Sequence, residues 1–269
     1  MSERLSPLAR LRAVLARPNS DRSKTLLVSL LVALGCGLSV SIAAVVLRPA
    51  IQANVAAARS AQMSAMLAGI PGIGEILARA GADAIETAIV DLASGLRAEG
   101  VDAAGFDQAA IAADAGTSTQ LTRAQDVVGL GRRENLARVH LVRREGKLAL
   151  IVLPVRGRGY QSTIRAYLAL EGDLDTVAAF TVYDHGETPG LGARIADAAW
   201  QAQWAGKKLT EGGKVAIEVV TGTADGPNEV DGISGASVTG YAITDMIHFW
   251  LGPLGYGRFL ERLRAGEFR

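Results

Sequence analysis

Cysteine is nearly absent from this chain, and that shortage removes whole classes of function. The single thiol, Cys36, makes no internal disulfide and builds no metal site without another chain. It reads as a small apolar filler. His140, His185 and His248 have no partner at metal-ligand spacing, and neither CxxC nor HExxH occurs, so no metal within this chain is expected. Excess charge is missing too: the formal net charge over 269 residues is +1. The first 24 residues hold Arg4, Arg10, Arg12, Arg17, Arg22 and Lys24 against Glu3 and Asp21, which leaves the remainder slightly acidic. Such a body has no electrostatic footprint for a phosphate backbone, so no nucleic-acid partner is expected. No internal repeat is visible.

What is present begins with Thr25 to Leu47, a run of 23 residues without a charge. At about 1.5 Å per residue it extends roughly 34 Å, enough to cross a hydrocarbon core of about 30 Å. Bases cluster before the run, whereas only Arg48, Arg59 and Arg79 occupy the next forty residues. The positive-inside rule then puts residues 1–24 in the cytoplasm as a basic tail, 25–47 in the membrane lipid and the body outside. A cleaved signal peptide is the rival, because Ala50, Ala53, Ala56, Ala57 and Ala58 offer cleavage positions; both versions export the body. Gly35, Gly37, Ser39 and Ser41 would let a neighbouring helix approach closely, or are simply residues common in membrane helices. With no intramembrane charge, a single span offers no ion pathway.

The remaining 220 or so residues are enough to bury a sizeable core. The pattern predicts an α+β body with a mostly antiparallel sheet flanked by helices. An Ala-rich helical lobe is expected over 48–135, with helical spacing of Ile85, Ile89, Val90, Leu92 and Leu96 inside 82–96. Strands are expected at 137–142 and 147–153, joined as a hairpin through Arg144-Glu145-Gly146, then at 162–170, 176–183 and 214–221. Helices are expected near 196–207, at 238–251 and at 256–265. Trp200 and Trp204 are four apart and share a helix face, where they flank a ligand or pack on the sheet.

Two loops carry the chemistry. Asp231-Gly232-Ile233-Ser234-Gly235-Ala236-Ser237-Val238-Thr239 puts three hydroxyls and a carboxylate before a helix, where backbone N–H groups and the positive dipole end suit a phosphate. The same residue types also make an ordinary capped helix start. His185-Gly186-Glu187-Thr188-Pro189-Gly190-Leu191-Gly192-Ala193 follows a strand; Glu187, Thr188 and the backbone around Gly192 offer hydrogen bonds to a planar heterocycle, and Leu191 offers an apolar contact. Taken alone, it is also an ordinary turn. Lys207 and Lys208 either supply charge to a phosphate or form a solvated helix end.

In order along the chain, PVRGRGY (154–160) leading to YLAL (167–170), HGETPGLGA (185–193), AWQAQWAGKKL (199–209) and DGISGASVT (231–239) resemble the FMN-binding domain of the NqrC family, a subunit of the Na+-translocating NADH:quinone oxidoreductases. The resemblance covers nearly the whole chain, weakest over 51–135, with the FMN-binding domain at 136–269. It implies one FMN joined through a phosphoester to the last hydroxyl residue of the S/T-G-A-T/S motif, which here is Ser237. Serine in place of the usual threonine keeps the linking oxygen. It also implies Ser234, Gly235, Ala236 and Thr239 around the phosphate, and a separate flavin transferase using FAD and Mg2+, since a serine hydroxyl is a poor nucleophile without a strong base and Asp231 is the only candidate nearby in sequence. A flavin carries its own redox chemistry, so no catalytic acid or nucleophile is needed. Within a six-subunit membrane assembly, the resemblance implies, electrons pass through this FMN between an iron centre and another flavin, from NADH to ubiquinone, while partners pump Na+. Two alternatives stay open: the related flavoprotein subunit of an Rnf-type ferredoxin:NAD+ complex, and an exported ligand-binding domain without redox function.

Overall fold

A computed structural model describes residues 15–16, 18, 21–68, 84–103 and 105–268. The basic tail expected at 1–24 lies largely outside them. The chain divides into two compact units, one up to Ala61 and one from Gln62.

Helix α1 (Arg22–Ala68) is continuous, and most of its residues belong to the first unit. An 18-residue window within Arg22–Arg48 has a mean hydropathy of 2.5 and is not buried, so the stretch is long and apolar enough to cross a membrane. Ser39 turns its hydroxyl back onto the Gly35 carbonyl at 2.6 Å, which removes that polar group from the helix surface.

The second unit is built on a five-stranded antiparallel sheet: β1 (Ala84–Asp91), β4 (Leu136–Arg144), β5 (Lys147–Arg158), β6 (Thr163–Glu171) and β7 (Val177–Asp184), adjacent in that order. Short connections force the antiparallel pairing of β4, β5, β6 and β7, while β1 reaches β4 across a long connection. Glu145 (φ 52°) and Gly146 (φ 74°) form the two-residue β4–β5 turn, whose positive φ values match the twist of a hairpin. Each strand alternates sides. Ile151, Leu153 and Val155 of β5 enter the main core, and Leu150 and Val152 a smaller cluster on the second face with Tyr167 and Ala169 of β6.

Helix α4 (Ser237–Leu251) covers the first face, burying Ile243, Met246, Ile247 and Trp250 against β5. Each buried aliphatic side chain there contributes about 1.5–3 kcal/mol. Gly157 permits the close approach, since a Cβ at that position would stand 3.2 Å from the Met246 side chain. Helix α5 (Gly257–Arg264) closes the unit with Phe259 and Leu260 buried. Helix α2 (Gln108–Ala113), capped by Asp107, sits beside β4 and a short pair, β2 (Ser118–Gln120) and β3 (Arg132–Glu134). Between β7 and α4 lie 3-10 turns at Gly192–Ala196 and Ala202–Trp204, helix α3 (Ala198–Gln201), and two-residue strands β8 (Thr210–Glu211), β9 (Lys214–Val215), β10 (Glu218–Val219) and β11 (Glu229–Val230).

Two expectations fail. Residues 84–91 are not part of a helical lobe within 48–135 but the edge strand β1. Ala88, Val90 and Leu92 face the main core while Ile85 packs with the second-face cluster, a period of two that the crowded apolar positions also fit as a helix. Ladder bonds to β4 decide between the two periods. Residues 214–221 do not extend the main sheet either; β9 pairs with β8 and β10 with β11, in separate two-stranded ribbons.

His140 on β4 is buried with its Nδ1 3.0 Å from Thr87 Oγ1, and burial together with the nearby Arg138 lowers its pKa to about 4. Unfolding returns it to about 6.5. Between these values the unfolded chain binds the extra proton, so stability falls as pH drops from about 6.5 towards 4, by up to about 3 kcal/mol from this residue. Melting temperatures across that window should show the loss, and His140→Gln should flatten it; an unchanged slope in the variant would exclude His140 as the source.

Candidate functional site

The loop after β7 is shaped by Thr188-Pro189-Gly190-Leu191, in which Leu191 N–H and Ala193 N–H both donate to the Thr188 carbonyl at 3.1 Å. Proline second and glycine third (Gly190 φ 76°) is the type II turn pattern. Glu187 is held beneath this turn at 4 % exposure. Its Oε1 accepts the Gln161 N–H at 3.0 Å and its Oε2 accepts the Thr239 hydroxyl at 2.6 Å. Glu187 therefore ties the β5–β6 turn, the post-β7 loop and the first turn of α4 together. With both oxygens engaged inside the protein, it is a clamp rather than an open hydrogen-bonding edge. Gly192 completes the fit, because a Cβ there would stand 2.8 Å from Thr239 Oγ1 and 2.9 Å from Glu187 Oε2.

The loop leading into α4 is fixed through its backbone. The Trp200 indole donates to the Asp231 carbonyl at 2.8 Å, Asp231 N–H donates to Gln203 Oε1 at 3.1 Å, and Asp231 Oδ1 accepts the Ala224 N–H at 2.7 Å. Asp231 thus sets loop geometry. Gly235 (φ 77°) lies against Leu191, whose Cδ2 would be 3.0 Å from a Cβ at position 235, so the two loops that stand out in the sequence are in contact.

Ala236, not a hydroxyl residue, occupies the N-cap, and no side chain caps the helix. The first backbone bond of the turn runs from Gly240 N–H to the Ala236 carbonyl at 3.1 Å. The N–H groups of Ser237, Val238 and Thr239 are left to donate to an anion, at the positive end of a 15-residue helix. Ser237 is exposed, and its hydroxyl makes no hydrogen bond among the described residues. Ser234 is exposed as well, whereas Thr239 is 2 % exposed and committed to Glu187.

A cleft of about 460 Å³ opens beside Ser237 between Val219–Thr223, the 231–235 loop and the Gly240–Tyr241 edge of α4. Tyr241 is 54 % exposed, with its hydroxyl 3.1 Å from Thr221 Oγ1; Val238 and Leu191 are also exposed apolar side chains of this region. Tyr241 stands four residues after Ser237, a helical spacing that the sequence reading passes over although it is present there. Thr221 and Gly222 arrive only through the β10–β11 pairing and its extension, Gly232 N–H to the Gly222 carbonyl at 2.9 Å.

Other expected residues lie elsewhere. Lys207 does not line the cleft; its Nζ donates to the Gly226 carbonyl at 3.1 Å. Lys208 pairs with Asp173 at 3.3 Å. Trp200 and Trp204 are core residues, edge-to-face with each other and packed on Phe180 of β7. Thr188 is exposed and contributes its carbonyl to the turn.

A family model described as an FMN-binding domain matches residues 159–252, the stretch containing both loops and α4. The NqrC subunit of the Na(+)-translocating NADH-quinone reductase of Pseudomonas aeruginosa is 40 % identical over 91 % of this chain and 97 % of its own length. The chain belongs to the NqrC family. The Vibrio parahaemolyticus NqrC subunit is likewise 40 % identical, over 94 % of this chain and 99 % of that protein. Among solved structures, Shewanella oneidensis NqrC aligns with a TM-score of 0.65 at 33 % identity, covering 72 % of this chain and 88 % of that one. The antiparallel-sheet fold of the second unit thus matches that of a solved NqrC.

Proposed function

We propose that the chain is the membrane-anchored flavoprotein NqrC of a Na+-pumping NADH:ubiquinone oxidoreductase, carrying one FMN joined by a phosphoester to Ser237 Oγ and relaying electrons between partner subunits. The observation that carries this is the exposed, unbonded Ser237 hydroxyl at an uncapped helix N-terminus beside a cleft. The residues fit the group. Amides of the first turn and the small Gly235 suit a phosphate, Leu191, Val238 and Tyr241 supply apolar and aromatic surface, and the Glu187 clamp keeps the two loops in register. Bound FMN supplies one- and two-electron redox chemistry; the chain's part is position and polarity.

Among the described residues no base hydrogen-bonds Ser237, and Asp231 is occupied with the backbone, which supports attachment by a separate flavin transferase using FAD and Mg2+. With α1 as an inner-membrane anchor, its basic N-terminal side in the cytoplasm and the body in the periplasm, a dissociable flavin would be lost to bulk, while a linked one stays at high effective concentration beside its cleft. Membrane lipid and the other members of a six-subunit assembly are the remaining partners. Intact mass of the chain purified from native membranes tests the proposal. The expected result is the polypeptide plus one FMN joined with loss of water, mapped to the peptide containing Ser237; a mass equal to the polypeptide alone refutes the covalent link and favours a plain ligand-binding domain.

A further inference from the structure

The second face of the sheet holds a cavity of about 220 Å³, roofed by α2 and lined by side chains of β3 to β7. Pro154, Val155 and Arg156 of β5 border it; Val155 also belongs to the main core and Gly157 faces α4, so the sheet stands between this cavity and the helix that carries Ser237. Three guanidinium groups line it: Arg138, Arg156 and Arg165. Their neutralisation is incomplete. Arg156 pairs with the fully buried Glu134 at 2.6 Å, and Arg165 pairs with Asp184, which lies outside the lining and is 53 % exposed. Arg138 has no ion pair among the described residues; one terminal nitrogen holds the Ala103 and Phe106 carbonyls, and its buried Nε has no hydrogen-bond partner.

His140 adds a neutral imidazole to the same wall, with Nδ1 taken by Thr87. Tyr167 and Tyr183, stacked at 4.6 Å, form an aromatic side. Like charges gathered around a partly desolvated cavity repel one another more strongly than at an open surface, and an anion inside relieves that repulsion. Guanidinium forks match the planar oxygens of a carboxylate or phosphate.

The geometry points to a binding site for a small anion bearing a carboxylate or phosphate group, held by Arg138, Arg156 and Arg165 against the Tyr167–Tyr183 pair. It is separate from the flavin site and does not rest on the proposed function.

Titration calorimetry on the full-length, detergent-solubilised chain at low ionic strength tests it, with inorganic phosphate and succinate as probes. Saturable binding of either is expected; phosphate alone marks a phosphate-ester site, succinate alone a carboxylate site. Arg165→Gln removes a partly exposed cation, so the fold is kept, and should weaken binding about tenfold or more, the scale of one charge-assisted hydrogen bond. Arg194→Gln, an exposed cation outside the cavity, should leave binding unchanged. Lack of saturable binding by either probe, or equal weakening by both variants, overturns the site.

Discussion

Ser237→Ala is expected to abolish acid-stable flavin while leaving the fold intact. The variant loses the one oxygen available for a phosphoester at that position. Its structural cost is small, because Ser237 is exposed, makes no hydrogen bond and is the first residue of α4 rather than its cap. The cost of about 1 kcal/mol that accompanies loss of a true N-cap serine is therefore not expected. Ser237→Thr restores a hydroxyl at the same place and should keep the flavin. Fluorescence of the denatured protein on a gel, together with intact mass, reads both variants. Flavin retained in the alanine variant would move the attachment to Ser234, the other exposed hydroxyl of the motif; Thr239 is buried and already donates to Glu187.

Glu187→Leu is expected to have the largest effect on stability around the site. It strips acceptors from two donors, the Gln161 amide and the Thr239 hydroxyl, in a place water hardly reaches. Leaving such groups unsatisfied costs about 1–3 kcal/mol each. At about 3 kcal/mol in total, the melting temperature of a unit this size falls by roughly 6–12 °C. Flavin incorporation should fall with it, because the post-β7 loop and the start of α4 lose their common anchor. Glu187→Gln should be much milder: the amide keeps one acceptor oxygen, and its NH2 can donate to a Thr239 hydroxyl that turns to accept. A leucine variant that melts with the wild type would show that Glu187 does not join the loops.

The same pair of residues marks how far the sequence can be read. Glycine, proline and hydroxyl clustering marks both loops, and the hairpin at Glu145-Gly146, strands β4 to β7 and helix α4 follow from period and punctuation. The strand β1 escapes such a reading because Ile85, Ile89, Val90 and Leu92 satisfy a helical spacing, and only pairing with β4 selects the extended form. Lys207 suits a phosphate by its charge, yet charge says nothing of direction, and its Nζ turns to the Gly226 carbonyl. Glu187 suits hydrogen bonds to a ligand by its chemistry. Its partner instead is a threonine 52 residues away, a distance over which no local pattern speaks.

By itself the sequence determined the apolar anchor, the antiparallel body and the two motifs, since each depends on residue types within a few positions of one another. The tertiary structure alone decided that Ser234 and Ser237 are the exposed hydroxyls and Thr239 the tied one, and that three arginines from three strands face a single cavity. Both are consequences of which strands neighbour each other, which is settled by packing and ladder bonds between segments far apart in the chain.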